Sequence, residues 1–368
     1  MRLQLPAERQ AYLLAQIERH GIVRVADAVT DLGVTGVTVR RDISALVDAG
    51  RVARVHGGAI AAADEEGSPE RRQKAGGADR EPREGAALGL LIPSLAFYWP
   101  DVVHSIEADA RRYGYRTVMR ASSYEAADER PLLDGLARTE SMEGLLLAPR
   151  TDGPGSAAAI NWLVGSDLPV VLVEREARNP ITNDMFESVH SDHALGALMA
   201  VHHLASLGHQ RVGLVVPRVS PTSRRIAAGW RAACSELGLA NDEHFERFTP
   251  NRANPNFMEA VLEIVKTIKQ TGTTALLVHS DPEAFAIAQF AMDQGLDVPG
   301  RLSVIAYDDV LAGAASPSLT AVRPPREAVA AAAVRQLIRR IQEPGSPTQR
   351  TLISPTLNVR ESTGPAPG

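Results

Sequence analysis

Two sets of side chains in this chain have the types and spacing to do chemistry. The first lies between Thr35 and His56. Thr35, Gly36, Val37, Thr38, Arg40 and Arg41 stand at the start of one helical stretch, and Arg51, Arg54 and His56 follow it closely. A guanidinium one turn into a helix presents a planar fork of donors that fits a guanine edge or a phosphate, and hydroxyls reach the same acceptors. The second set stands just after short apolar runs: Phe97, Tyr98 and Trp99 after LGLLIP, Glu174 at the end of PVVLVE, Ser280 and Asp281 after TALLVH, and Asp308 after SVIAY. Arg224 and Arg225 precede Gly229-Trp230. Aromatic faces, carboxylates and planar cations gathered at strand ends suit a small ligand rich in hydroxyls.

Other chemistries find little support. His202 and His203 are adjacent, so a helix turns them to different faces, and His209 has no carboxylate or thiol at ligand spacing. No metal site is expected, and no cofactor. The single cysteine, Cys234, rules out a disulfide framework within the chain and reads as a core residue. There is no GxxxxGK[ST] phosphate loop and no nucleophile elbow. A catalytic role is therefore not expected.

The elements that must position the first set are short and helical. Leu13, Leu14 and Ile17 follow Pro6 at helical spacing, and Val25, Ala26, Val29 and Leu32 mark a second helix that Gly33 stops. Thr35 caps a third, which buries Val39, Ile43, Leu46 and Val47 and ends at Gly50. Arg51–Val55 and Ala59–Ile60 then flank a His56-Gly57-Gly58 turn. The stretch from Glu8 to Ile60 reads as a winged helix-turn-helix whose third helix enters a DNA groove. Residues 1–60 carry eight arginines against six acids, although the whole chain is at −5. A mildly basic head on an acidic body fits a small DNA module on a larger soluble domain.

Residues 61–86 are almost free of apolar side chains and read as a flexible linker. From Leu88, seven apolar runs alternate with helical stretches such as Val102–Tyr113, Glu125–Thr139, His193–Leu207 and Pro282–Gln294. That alternation predicts parallel sheets covered on both faces, and seven runs divide more naturally into two Rossmann-like lobes with a cleft between them. The expected domains are a head at 1–60, the linker at 61–86, a two-lobed α/β domain at 87–360, and a disordered tail at 361–368. The first thirty residues show no secretory signal, and no apolar run approaches a membrane span. A cytoplasmic protein is expected.

The stretch VTVRRDISALVDAGRVARVHGGA resembles the DeoR-type winged helix-turn-helix over about fifty residues. Gly36 departs from that pattern, which usually has a polar or acidic residue there. The body resembles the periplasmic-binding-protein-like domain of the LacI/GalR repressors, chiefly in LASLGHQRVG and SVIAYDD. The resemblance assigns effector binding and dimerisation to the domain at 87–360, and implies double-stranded operator DNA as partner, a homodimer, and a sugar or sugar derivative bound between the lobes as effector. In that family a ligand-binding arginine stands three residues before the glycine of Gly229-Trp230; that place is Ile226 here, so Arg225 is the first candidate and Arg224 the second. Glu174 stands where Asp is common, and Ser280 where Asn is common. Asp308 is the expected hydroxyl acceptor, with Asp309 capping or bridging the lobes. The resemblance implies a transcriptional regulator, most simply a repressor. The alternatives are a solute-binding module and a sugar-metabolising enzyme carrying a DNA-binding head.

Overall fold

Helix α1 (Pro6–His20) starts at a proline, with Glu8 accepting from the Leu5 amide, and ends where Gly21 takes the left-handed conformation. β1 (Ile22–Arg24), α2 (Val25–Leu32) and α3 (Gly36–Asp48) follow, then β2 (Val52–Val55) and β3 (Gly58–Ala61). The Thr35 hydroxyl accepts the Thr38 N–H, as an N-cap should. Leu13, Ile17, Val39, Ile43, Leu46, Val52 and Ala59 form the head's core. The buried Arg9 guanidinium grips Asp42 through two bonds, at 2.6 and 3.1 Å, and pins α1 to α3. The wing has one strand more than the hairpin expected: β1 joins it in an antiparallel sheet of order β1-β3-β2. Gly58 permits this, since a Cβ there would fall 2.0 Å from the Val23 carbonyl oxygen.

The computed structural model describes residues 5–55, 57–61, 82–124, 128–153, 155–239, 245–250 and 252–368. His56 and most of the expected linker lie outside the described residues. Its last residues belong to the body instead: Ala86 is buried, and the Arg116 side chain donates to the Gly85 carbonyl.

The first lobe is built from β4 (Ala87–Ile92), α4 (Tyr98–Arg112), β5 (Arg116–Ala121), α5 (Arg130–Ala137), β6 (Met142–Leu147), α6 (Ser156–Gly165), β7 (Val170–Val173) and β8 (Ser188–Ser191). The chain then crosses into the second lobe: α7 (His193–Ser206), β9 (Val212–Pro217), α8 (Pro221–Glu236), β10 (Glu246–Thr249), α9 (Phe257–Thr271), β11 (Ala275–His279), α10 (Asp281–Asp293), β12 (Ser303–Tyr307) and β13 (Thr320–Arg323). It returns for α11 (Arg326–Gln342) and β14 (Arg350–Ile353), and crosses once more to β15 (Thr356–Asn358). The two six-stranded sheets run β14-β8-β7-β6-β4-β5 and β10-β9-β11-β12-β13-β15. Every pairing in them is parallel except β13 with β15.

These are the two Rossmann-like lobes that the apolar runs predict. The strands that the runs do not reveal are short and carry polar residues. β8 reads SVHS and is wholly buried, with its polar side chains in the interior. The helix expected from Glu125 begins at Arg130, and residues 125–127 lie outside the described part. The first lobe's helix begins at Tyr98 rather than Val102.

The tail at 361–368, expected to be disordered, is packed. Ser362 is fully buried, its hydroxyl donating to the Val304 carbonyl and its amide to the Ser318 carbonyl. His209 meets the Gly364 carbonyl at 3.1 Å, and the Ala366 amide donates to the Leu207 carbonyl. The polar composition of this segment hides an extended strip whose backbone is satisfied by β12 and α7.

Candidate functional site

On α3 the side chains of Thr35, Val37 and Arg41 are exposed, while Gly36, Thr38 and Arg40 are half-buried. Arg51, just before the wing, is exposed; only the backbone of Arg54 is described. The Thr35 and Thr38 hydroxyls lie 3.0 Å apart. The Arg40 guanidinium lies over Gly36, 3.4 Å from where a Cβ would stand, an ordinary contact that does not require glycine. Arg40 also donates to the Val164 carbonyl of α6, at 3.3 Å. That is one long bond to a neutral carbonyl, whereas a guanine edge or a phosphate can take two from the same guanidinium.

Between the lobes, the ends of β4, β7, β11 and β12 bring together Tyr98, Trp99, Glu174, His279 and Asp308 around a cavity of about 50 Å³. It opens past Glu174, Arg175 and His193 into a larger one of about 460 Å³, which Arg224 and Arg225 line. Of the three expected aromatics, Tyr98 and Trp99 face the cleft, their rings edge to face at 5.6 Å. Phe97 does not line it and is nearly half exposed.

Glu174 is buried and already occupied. It accepts from the Tyr98 hydroxyl, the Ser191 hydroxyl at 2.7 Å, the Ser191 amide at 3.2 Å and His193 Nε2 at 3.2 Å. Burial alone would raise its carboxyl, but these donors outweigh burial and hold it down at about 2. Its acceptor positions are filled by protein, so it shapes the cavity rather than offering a free oxygen to it.

His279 and Asp308 are different. Both are buried, His279 Nε2 lies 3.6 Å from the Asp308 carboxylate, and His279 Nδ1 has no hydrogen-bond partner among the described residues. Burial disfavours the imidazolium, but the Asp308 charge overcomes it and raises the His279 pKa. The buried Nδ1 is therefore a polar position left for a ligand, beside a carboxylate that already faces Nε2.

Ser280 and Asp281 are not brought to the cavity. The Ser280 hydroxyl donates to Glu283 at 2.6 Å in a capping box at the start of α10. The buried Asp281 carboxylate accepts the backbone N–H groups of Asp309, Val310, Leu311 and Ala312. Burial and the neighbouring Asp308 charge raise its pKa to about 6. It fixes the loop after β12. Asp309 pairs with Arg360 at 2.7 Å and accepts from Asn358, tying down the last strand within one lobe.

Arg225 bridges the lobes instead of pointing at the small cavity. From α8 it reaches His190 Nδ1 at 2.7 Å and Glu176 at 2.5 Å; Glu176 also holds Arg350 and His190 Nε2. Arg224 pairs across the same gap with Asp152 at 3.4 Å, mostly in solvent. Arg326, buried on α11, donates to the Asp308 carbonyl at 2.6 Å and pairs with Asp101 at 3.0 Å.

The candidate residues miss Tyr124, Arg175, His193, Ser220, Thr222 and His279, all of which line the small cavity. His279 had a signal: it is the last residue of an apolar run, one place before the residues chosen. His193 begins the helix after a crossover, and nothing in the local pattern marks the crossover. The other histidines stay apart, with His203 on Thr363 and His209 on Thr274 and Ser303. Among the described residues no group of three or more metal-binding side chains forms, and no helix is long and apolar enough to cross a membrane.

Comparison with known proteins agrees with both ends of this geometry. A DeoR-like helix-turn-helix domain model matches residues 9–65, and a periplasmic binding protein-like domain model matches residues 201–363. An uncharacterized HTH-type transcriptional regulator in the aml 5' region of Streptomyces limosus is 31% identical over 290 residues, 76% of this chain and 80% of that protein. The HTH-type transcriptional regulator MalR of Streptomyces coelicolor is 29% identical over 359 residues, 94% of this chain and 98% of the relative. In fold, a LacI family transcriptional regulator from Enterococcus faecium, solved with bound ribose, superposes with a TM-score of 0.63 at 20% identity, covering 76% of this chain and 99% of that one. The chain belongs to the LacI/GalR-type transcriptional regulators and is a DNA-binding protein with a DeoR-like helix-turn-helix head.

Proposed function

We propose that this regulator is a repressor, working as a homodimer on a two-fold or repeated operator, and that a small carbohydrate-like effector bound between the lobes sets its operator affinity. The observation that carries this reading is the buried His279–Asp308 pair, whose Nδ1 has no hydrogen-bond partner among the described residues, beside the Trp99 and Tyr98 rings in a cleft between two lobes. Aromatic faces take the C–H patches of a sugar ring, and paired donors and acceptors take its hydroxyls. Relatives support it. The ribose operon repressor of Haemophilus influenzae is 25% identical over 76% of this chain, and the repressor CytR of Escherichia coli is 25% identical over 77%. The domain division runs from the head, through the segment at 61–86, into the two-lobed sensor.

The cleft lies where three chain crossings join the lobes, so a ligand that prefers one lobe angle shifts the geometry in which two heads are presented. A coupling of about 1–3 kcal/mol suffices for such control. The test is operator binding by fluorescence anisotropy with a panel of free and modified sugars. A compound that changes affinity more than about fivefold is expected; if every compound leaves it within about twofold, sugar control through this cleft is wrong.

A further inference from the structure

A third cavity, of about 570 Å³, lies at the outer end of the cleft. On the first lobe it is walled by Arg150 and Asp152, between β6 and α6; on the second by Arg218, Arg224 and Arg231, with Glu246 and Phe248 of β10 behind them. It shares Asp152 and Arg224 with the 460 Å³ cavity, which shares Glu174, Arg175, His193 and Thr222 with the innermost one. The cleft is therefore continuous from the aromatic end to this one.

Its charge is unlike that of the chain around it. Four arginines face two carboxylates, in a protein whose net charge is −5. Glu246 is taken by Arg231, and Asp152 meets Arg224 only at 3.4 Å in a mostly exposed pair. The Arg218 guanidinium has no carboxylate or carbonyl partner among the described residues, and lies 5.2 Å from the centre of the Phe248 ring. Stacking of that kind orients a guanidinium while leaving its N–H edge open for a bidentate acceptor. The amino end of α8 opens on the same space: Pro221 is its first residue, and Ser220 provides no side-chain cap. The positive end of a sixteen-residue helix adds to the field of the arginines.

We propose that this cavity is an anion subsite and that the effector is a phosphate monoester of a small polyol, its hydroxyls at His279 and Asp308 and its phosphate between Arg218, Arg224 and the start of α8. This rests on the reading of the cleft as a sugar-binding site. A phosphate suits the subsite better than a carboxylate: three peripheral oxygens match donors from three directions, and a dianion matches an excess of two positive charges.

The test is calorimetric titration of the full-length protein with a panel of pentoses and hexoses, their monophosphates, and inorganic phosphate. A monophosphate is expected to bind at least about tenfold more tightly than its free sugar, about 1.4 kcal/mol. Its affinity should fall as salt rises, and inorganic phosphate should compete with it but not with the free sugar. Arg218→Ala should bring the monophosphate down to the level of the free sugar and leave the free sugar unchanged. Arg218→Lys, which keeps the charge and loses the fork, should recover part of the difference. Circular dichroism of both variants confirms that the lobes are intact, and Arg224→Ala gives an independent measure if Arg218→Ala is misfolded. A free sugar that binds and shifts operator affinity, with no gain from phosphate and no effect of either arginine, overturns the anion subsite and leaves the sugar reading standing. Absence of binding by every sugar and every monophosphate overturns both.

Discussion

Four donor groups converge on the Glu174 carboxylate, from Tyr98, Ser191 (two) and His193. Removing it strands them in the interior, each at about 1–3 kcal/mol unless water enters. Glu174→Ala is therefore expected to lower stability by more than about 2 kcal/mol in urea unfolding, rather than to abolish effector response alone. The pH dependence has a definite sign. The folded carboxyl sits at about 2 against an ordinary 4.5, so its stabilisation is complete above about pH 4.5 and is lost as pH falls toward 2. Glu174→Gln should flatten the acid limb of the stability profile over that range. His279→Ala and Asp308→Ala have the opposite character: operator binding kept, effector response lost. Loss of operator binding with normal effector affinity would contradict the assignment. In the head, Arg40→Ala and Arg41→Ala should each cost about 1–3 kcal/mol of specific operator binding in a gel-shift series, if they read bases. Intact affinity in both would misplace the recognition helix.

At the scale of elements, close approaches of backbone decide more than composition does. Where α7 and α8 meet, a Cβ at Gly229 would stand 2.1 Å from the Ala194 carbonyl oxygen. Gly229→Ala must push the helices apart. It is expected to destabilise the second lobe by about 1–3 kcal/mol, visible as an earlier unfolding transition, while the isolated step of DNA contact by the head is unaffected. The head was legible in the sequence because its helices bury one stripe and its punctuation is glycine: Gly21, Gly33 and Gly50 all take left-handed φ at element ends. The long buried strands were legible as apolar runs. β8, β10, β13, β14 and β15 were not, being three or four residues long and paired by contacts distant in sequence. The candidate pocket was half legible for a related reason. Strand ends point at the cleft, but β11 runs one residue further than its apolar pattern suggests, so His279 takes the place assigned to Ser280 and Asp281. Glu174 reaches the cavity as expected, yet what saturates it comes from Ser191 and His193, which no spacing rule connects to it.

For the whole molecule, the polar side-chain contacts between lobes among the described residues include Arg225 with Glu176 and His190, Arg224 with Asp152, His193 with Glu174, and Arg326 with the Asp308 carbonyl. Arg225→Ala should loosen the closed arrangement by about 1 kcal/mol, a factor of about five in the lobe equilibrium. Small-angle scattering of the ligand-free variant should show a larger radius of gyration than the parent, and an unchanged radius would mean that the crossings alone set the lobe angle. Those crossings have a consequence for how the protein is made. The first lobe's core packs Leu88, Leu90 and Ile106 against Val329, Ala333, Val334 and Leu337 of α11, so it stays open on one face until residues beyond 326 have been synthesised. The head needs nothing beyond Ala61 for its own core. At translation rates of about 5–20 residues per second, the interval between finishing the head and finishing α11 is roughly 15–60 s. During that interval the nascent chain carries a complete DNA reader before the sensor that controls it exists.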